Sequence, residues 1–247
     1  MIRQVAWLGA LAVLCAAPAV RAQSGVSEGF YKEGVKLGEE SRKSGDDAKL
    51  AEALSRFQKA AVLEPKVFKY QLNMAYAYDW LNRLPEAQAA YETAIALGPR
   101  DRAAHGGLGD VYRRLKFYER AEKEFKTALG LDKKDFSSQM GLAAIAVERD
   151  DLDGALKMYQ VALKTNPKSS EAAFKSANIL WRKKEYPGAI DNYRKALAIK
   201  PDYTEAQFGL GLALKEKGDK EAARVELKKA CQAGIKQACG HLRKLDE

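Results

Sequence analysis

The chain has 247 residues, of which 47% are apolar and 30% charged, and its 42 Lys and Arg against 33 Asp and Glu give a net charge of +9. That balance fits a packed globular protein and excludes disordered, collagen-like and multi-span membrane classes. Only two His and three Cys are present, which argues against a His-rich metal enzyme.

Residues 1–22 read MIRQVAWLGALAVLCAAPAVRA. Arg3 gives a positive start, Val5 to Val20 is an almost unbroken apolar run, and Val20-Arg21-Ala22 closes on a small residue. This is the layout of a secretory leader, with cleavage expected after Ala22 and export to the periplasm or the outside. The rival reading is an uncleaved anchor. A spanning helix needs about 20 apolar residues, and Pro18 and Arg21 cut this run short. A lipid anchor on Cys15 is disfavoured by the bulky Leu14 before it. Cleavage leaves 225 residues, a charge of +7 and an even cysteine pair, Cys231 and Cys239, in a compartment that permits a disulfide.

From there one spacing organises the chain. The pattern A-x3-[aromatic or Leu]-x2-A recurs at Ala53/Phe57/Ala60, Ala87/Tyr91/Ala94, Ala121/Phe125/Ala128, Ala155/Tyr159/Ala162, Ala189/Tyr193/Ala196 and Ala223/Leu227/Ala230, always 34 residues apart. A small residue stands twelve places before the first alanine at Ala75, Gly109, Ala143, Ala177 and Gly211. Spacings of three, four and seven put such residues on one helical face, where small side chains admit a close neighbour and the aromatic fills the gap. Pro65, Pro99, Pro167 and Pro201 follow the second helix, since proline cannot continue its backbone ladder. Each unit is a helix–turn–helix that cannot bury its apolar face alone, so neighbours must stack.

Gly107-Leu108-Gly109-Asp110-Val111-Tyr112, together with Ala121, Phe125 and Ala128, resembles the tetratricopeptide repeat signature. The resemblance implies an all-α, right-handed superhelical solenoid. Its six units fall at about 27–67, 68–101, 102–135, 136–169, 170–203 and 204–234, within a domain of residues 23–234, and a capping helix follows at 235–247. The chain departs from the family pattern at the fourth place, where Gln71, His105, Gln139, Ala173 and Gln207 replace Trp. It departs again where Lys133 and Ile235 stand in place of the closing proline.

The first unit starts near Ser27, with Phe30, Gly34 and Leu37 in register, and carries seven extra residues before Ala53. That is about two helical turns, with the turn expected at 44–47. Two readings stand: a longer hairpin acting as an N-terminal cap, which is favoured, or a binding extension. At the other end, Gly234 is placed to end the last repeat helix, and Ile235, Ala238, Leu242 and Leu245 space as the apolar face of one more. Ala-Cys-x7-Cys resembles cysteine-rich Sel1-like repeats, and that resemblance implies a Cys231–Cys239 disulfide. The alternative, a metal site of Cys231, Cys239 and His241, lacks the fourth ligand of a structural zinc centre.

The family resemblance implies a concave groove lined by the first helix of each unit. The places that face it hold Tyr31 and Val35; Leu72, Tyr76, Asp79 and Trp80; Asp110, Arg113 and Arg114; Met140 and Glu148; Phe174, Asn178, Trp181 and Arg182; and Glu205, Phe208 and Lys215. Aromatics and Arg are the residues that most often anchor a partner. Arg113, Arg114 and Arg182 have the fork that holds a carboxylate, so the expected partner is a protein or peptide segment, apolar with some acidic character. The competing reading for each aromatic is packing between repeats, and for each Arg a solvated charge. Leu72/Tyr76 and Gly106/Asp110 occupy the places where a chaperone-binding carboxylate clamp requires Lys and Asn, so that clamp is not expected.

No G-x-S-x-G, H-E-x-x-H or G-x4-G-K-[ST] occurs, and the repeats leave no second domain for chemistry. His105 falls at a core-facing place. No enzyme activity, cofactor, metal or nucleic acid is expected. The basic charges are interleaved with acids, as in Asp132-Lys133-Lys134-Asp135, and read as solvated faces with a mild positive field near envelope polymers or a membrane surface. The sequence therefore reads as an exported scaffold, an adaptor in envelope complex assembly. The alternatives are a binder of an anionic glycan such as peptidoglycan, or a pilotin-like secretin assembly factor; pilotins are commonly lipoproteins, and this chain lacks a good lipobox.

Overall fold

The structure is a computed structural model that describes the backbone of residues 9–246 and the side chains of residues 24–245. The expected leader, with Arg3, Cys15 and the cleavage point after Ala22, lies outside the described side chains. Among the described residues no helix is long and apolar enough to cross a membrane.

The described residues form helices joined by turns, with no strand. The chain divides into two compact units, Met1–Leu131 and Asp132–Glu247. The first contains α1 (Gly9–Ser44), α2 (Asp47–Leu63), α3 (Phe68–Trp80), α4 (Leu84–Leu97), α5 (Arg102–Arg114) and α6 (Tyr118–Leu131). The second contains α7 (Phe136–Glu148), α8 (Leu152–Thr165), α9 (Ser170–Arg182), α10 (Tyr186–Ile199), α11 (Thr204–Lys217), α12 (Lys220–Gln232) and α13 (Lys236–Asp246). Odd and even helices pair as hairpins, giving six pairs and a thirteenth helix that packs on α12. Within each unit successive pairs stack, and first helices also meet directly, α3 with α5 and α9 with α11.

The 34-residue pattern is the packing code of these pairs. Ala53, Ala87, Ala121, Ala155, Ala189 and Ala223 are fully buried, as are Ala60, Ala94, Ala128, Ala162, Ala196 and Ala230. The large residue between each two alanines wedges against the small residue of its partner helix. A Cβ on Gly109 would lie 2.7 Å from the Phe125 ring, so the absence of a side chain there lets α5 and α6 close. Tyr91 reaches onward to the next pair, where a Cβ on Gly107 would run into its ring.

Two kinds of turn repeat. Between the helices of a pair, one residue takes the left-handed conformation: Asn82 (φ 56°), Lys116 (φ 64°), Asp150 (φ 60°), Lys184 (φ 62°) and Gly218 (φ 94°), each one stride after the last. Between pairs, Asp101, Asp135 and Ser169 cap α5, α7 and α9 by accepting backbone N–H bonds of 2.8, 3.1 and 3.1 Å from Ala104, Ser138 and Ala172. Each satisfies one of the donors that a helix start leaves open.

Three of the five fourth-place departures from the family pattern share a use. Gln71 Nε2 donates to Pro65 O at 3.1 Å, Gln139 Nε2 donates to Lys133 O at 2.9 Å, and His105 Nε2 lies 3.1 Å from Pro99 O. Each ties a first helix to the carbonyl of the turn that leads into it. His105 is buried, as its core-facing place implied, with Nδ1 2.6 Å from Glu124 Oε2. Gln207 departs from this pattern and bonds Glu226 at 3.0 Å. Sequence reasoning registered the missing Trp but not this clasp.

The first pair resolves where its extra length goes. Gly34 is in register with Ala75, yet α1 continues to Ser44 whereas α3 stops at Trp80. Likewise α2 starts six residues before Ala53, whereas α4 starts three before Ala87. Five residues therefore lengthen the first helix, three lengthen the second, and the turn loses one. The longer tip is tied together: Ser41 Oγ donates to Asp46 O at 2.8 Å, Asp46 caps α2 through Ala48 and Lys49, and Lys49 pairs with Glu40 at 3.0 Å. Upstream, α1 is helical well before Ser27. There Lys69 pairs with Glu28 at 2.6 Å, which holds the Glu28 carboxyl below its ordinary range.

At the other end Gly234 is left-handed (φ 97°), and α13 buries Ala238 while Leu242 and Leu245 pack on Leu227 and Ala230. The Cys231 and Cys239 sulfurs lie at bonding distance across this corner, with Cα atoms 4.9 Å apart.

Candidate functional site

The groove residues expected from the sequence separate into three groups. The first is packed between helices. The Tyr31 ring sits 5.2 Å from Tyr70 and 6.0 Å from Phe57 by centroids, so it fills the seam of the first two pairs. Phe174 lies 4.9 Å from Tyr203 and 6.0 Å from Tyr193. Phe208 lies 5.8 Å from the His241 ring of α13. Asn178 accepts a 2.6 Å bond from the Tyr193 hydroxyl, and Met140 and Val147 pack beside Tyr159. These side chains serve the fold, because stacking each first helix on its neighbour covers its flanks.

The second group is charged and already paired. Arg113 donates to Asp110 at 2.7 and 3.0 Å. Arg114 pairs with Asp79, lies 3.9 Å from Asp110, and also bonds Asn82. Burial pushes the Asp79 carboxyl up from its ordinary value, against the pull of the Arg114 guanidinium. In the second unit Arg182 donates to Asp150 at 2.7 Å. The arginines expected to receive a partner's carboxylates thus hold carboxylates of the chain itself. The signal for this was in the sequence: Asp79 and Arg114 stand one stride plus one residue apart, as neighbours across two stacked pairs.

The third group is open. Trp80, at the last place of α3, is 67% exposed, and Trp181, one place before the end of α9, is 37% exposed. Leu72 and Lys215 are half-buried, as is Tyr76, whose ring meets Tyr91 edge-on at 5.8 Å. Glu148 and Glu205 lie at the surface.

In the first unit this open group borders a cavity of about 390 Å³. Tyr76, Ala77 and Trp80 of α3 form one side, with Asn73 a turn below. Leu50 and Phe57 of α2 form the floor, and α1 supplies the facing wall through Val35, Gly38, Glu39, Ser41 and Arg42. Ser41 and Arg42 belong to the added length of the first pair. The lengthened tip, read from the sequence chiefly as a cap, stands beside the most exposed aromatic among the unit's described residues. The arrangement is suited to holding an apolar group; the residues around it form no nucleophile–base pair, and among the described residues no three His, Cys, Asp or Glu are grouped to hold a metal ion.

Models of the tetratricopeptide repeat match residues 72–138, 177–218 and 204–233. No curated protein sequence matches the chain. Among solved structures, YrrB, described as a tetratricopeptide repeat protein with an unusual peptide-binding site, is 24% identical over 76% of this chain and 97% of its own, with a TM-score of 0.60. The pilF protein of Pseudomonas aeruginosa is 15% identical over 90% of this chain and 99% of its own, with a TM-score of 0.75. A tetratricopeptide repeat protein of Parabacteroides merdae is 23% identical over 87% and 83%, with a TM-score of 0.64. These likenesses show the fold, and together with the repeat models they establish that the helix pairs of this chain are tetratricopeptide repeats.

Proposed function

We propose that the chain is an exported, non-catalytic scaffold that binds a partner protein through the face bearing Trp80 in its first unit and the face bearing Trp181 in its second, and that it acts as an adaptor in envelope complex assembly. The observation that carries this reading is Trp80, two-thirds exposed above an apolar cavity. A large aromatic held open on a rigid helix is the residue type that most often dominates a protein interface. The peptide-binding site named for YrrB supports the same use of the fold. Export and the envelope setting rest on the leader sequence of residues 1–22. Because Arg113, Arg114 and Arg182 are satisfied internally, the partner is defined by apolar anchors rather than by acidic character.

The test is affinity purification from the native envelope with the wild-type chain and with a Trp80→Ala/Trp181→Ala variant. A defined partner retained by the first and lost by the second is expected. The same proteins recovered with both would refute the assignment of the tryptophans.

A further inference from the structure

The lengthened tip of the first pair does more than close the end of the array. Glu39 stands in register with Trp80, so without the five added residues α1 would stop level with the tryptophan. Instead it continues, and Ser41 and Arg42 extend the wall that Trp80 faces. The cost of keeping Trp80 in water falls when a partner covers it, and this wall gives such a partner a second side to lean on.

The charge of the lining decides what fits. Glu39 and Arg42 lie one turn apart on α1 and cancel. Asp79, next to Trp80 on α3, is matched by Arg114, Asp110 by Arg113, and Glu40 on α1 by Lys49. The complement of a lining without net charge is an uncharged apolar group. Its rim still carries one charge of each sign. In addition, Asn73, whose amide nitrogen donates to Lys69 O at 2.8 Å and lies 3.4 Å from the Tyr31 hydroxyl, keeps its carbonyl oxygen as an acceptor for a peptide N–H. A polypeptide, with its alternating donors and acceptors, matches that rim where an acyl chain does not.

We propose that the tip of the α1–α2 hairpin and Trp80 form a pocket that takes a bulky uncharged side chain, of the Leu, Met or Phe class, from a partner polypeptide, and that this pocket sets which segment the chain binds. The inference rests on the scaffold reading and deepens it.

Gly38 makes the pocket testable without damage to the fold. It lines the cavity, and a Cβ placed on it meets no heavy atom within 4 Å. Gly38→Leu therefore puts bulk into the pocket while improving helix propensity. Gly29→Leu is the matched control on the same helix, also with nothing within 4 Å of an added Cβ and outside the cavity. Peptides are selected from a random displayed library on the full wild-type chain, then synthesised with a fluorophore and titrated by anisotropy. The selected peptides are expected to share one bulky apolar residue, to lose about tenfold or more in affinity against Gly38→Leu and Trp80→Ala, and to bind Gly29→Leu as they bind wild type. Circular dichroism and melting of both glycine variants are expected to match or exceed wild type. Peptides that bind Gly38→Leu unchanged, or that share only acidic residues, overturn the pocket while leaving the scaffold reading standing. A library that yields no binder sinks both. Phosphatidylglycerol vesicles that bind the chain and are blocked by Gly38→Leu, in place of any peptide, overturn the polypeptide assignment.

Discussion

Replacing Lys116 and Lys184 by glycine is expected to stabilise the protein. Both residues are held at positive φ, 64° and 62°, at the turn between the helices of a pair, where the same register carries glycine at Gly218. An L-residue in that conformation costs roughly 1–2 kcal/mol relative to its right-handed state. Glycine removes that cost and loses about 0.5–1 kcal/mol through the greater freedom of its unfolded chain. The net gain is about 0.5–1 kcal/mol per site. Both side chains are exposed, so little packing is lost with them. The sites lie in different units, so their effects should add to about 1–2 kcal/mol in the double variant. Urea unfolding followed by circular dichroism reads the double variant as a rise in midpoint of about 0.5–1 M for a slope near 2 kcal/mol/M. Lys195→Gly, exposed in the middle of α10, is the contrasting control and should lower stability by about 0.5–1 kcal/mol. If Lys116→Gly and Lys184→Gly lower the midpoint as the control does, the argument from backbone conformation is wrong.

Phe125→Ala removes a ring that is 2% exposed and wedged between α5 and α6, and should cost about 3–5 kcal/mol in thermal or denaturant unfolding. Gln139→Ala breaks the clasp to Lys133 O and should cost about 1 kcal/mol, whereas exposed Lys157→Ala should sit within half of that. Protein isolated from its native compartment without reductant should show no reactive thiol at Cys231 or Cys239, and a Cys231→Ala/Cys239→Ala variant should lose about 2–3 kcal/mol from the freed loop; two thiols reactive without reductant would remove the bond. N-terminal sequencing of protein recovered from the envelope should begin at Gln23, and a start at Met1 would refute cleavage after Ala22.

What the sequence made legible was the part set by a strict period. The alanines at 87, 94, 121 and 128, and Tyr91 and Phe125 between them, are buried where a face of spacing three, four and seven requires, and all six pairs follow from that stride. The helix end at Gly234 belongs to the same class, because it depends on residues within one turn, whereas the caps of Asp101 and Asp135 are seen only in the structure. What escaped reading depends on contacts between strides. Tyr31, Phe174 and Phe208 occupy groove places by register but meet aromatics from a neighbouring helix or the turn before it, Tyr70, Tyr203 and His241, so that for these three the packing alternative is the one the structure shows. Arg114 stands at a groove place, yet it is paired with Asp79, 35 residues earlier, across the stacked hairpins. The extra length of the first pair was countable in the sequence, yet its split between the two helices, and hence the wall beside Trp80, was set by Ser41 and Asp46 closing the turn.

The way that length is accommodated bears on how such proteins diversify. The additions sit at the free tip of a hairpin, outside the seams of Phe57 with Gly34 and of Tyr70 with Tyr31, so the stacked interior is left as it was. Other hairpin tips can be lengthened or trimmed in the same way at the cost of surface pairs to the next hairpin, such as Arg114 with Asn82 and Arg182 with Asp150, and not of the buried seams. A lineage can thereby change what its members grip while inheriting their architecture intact.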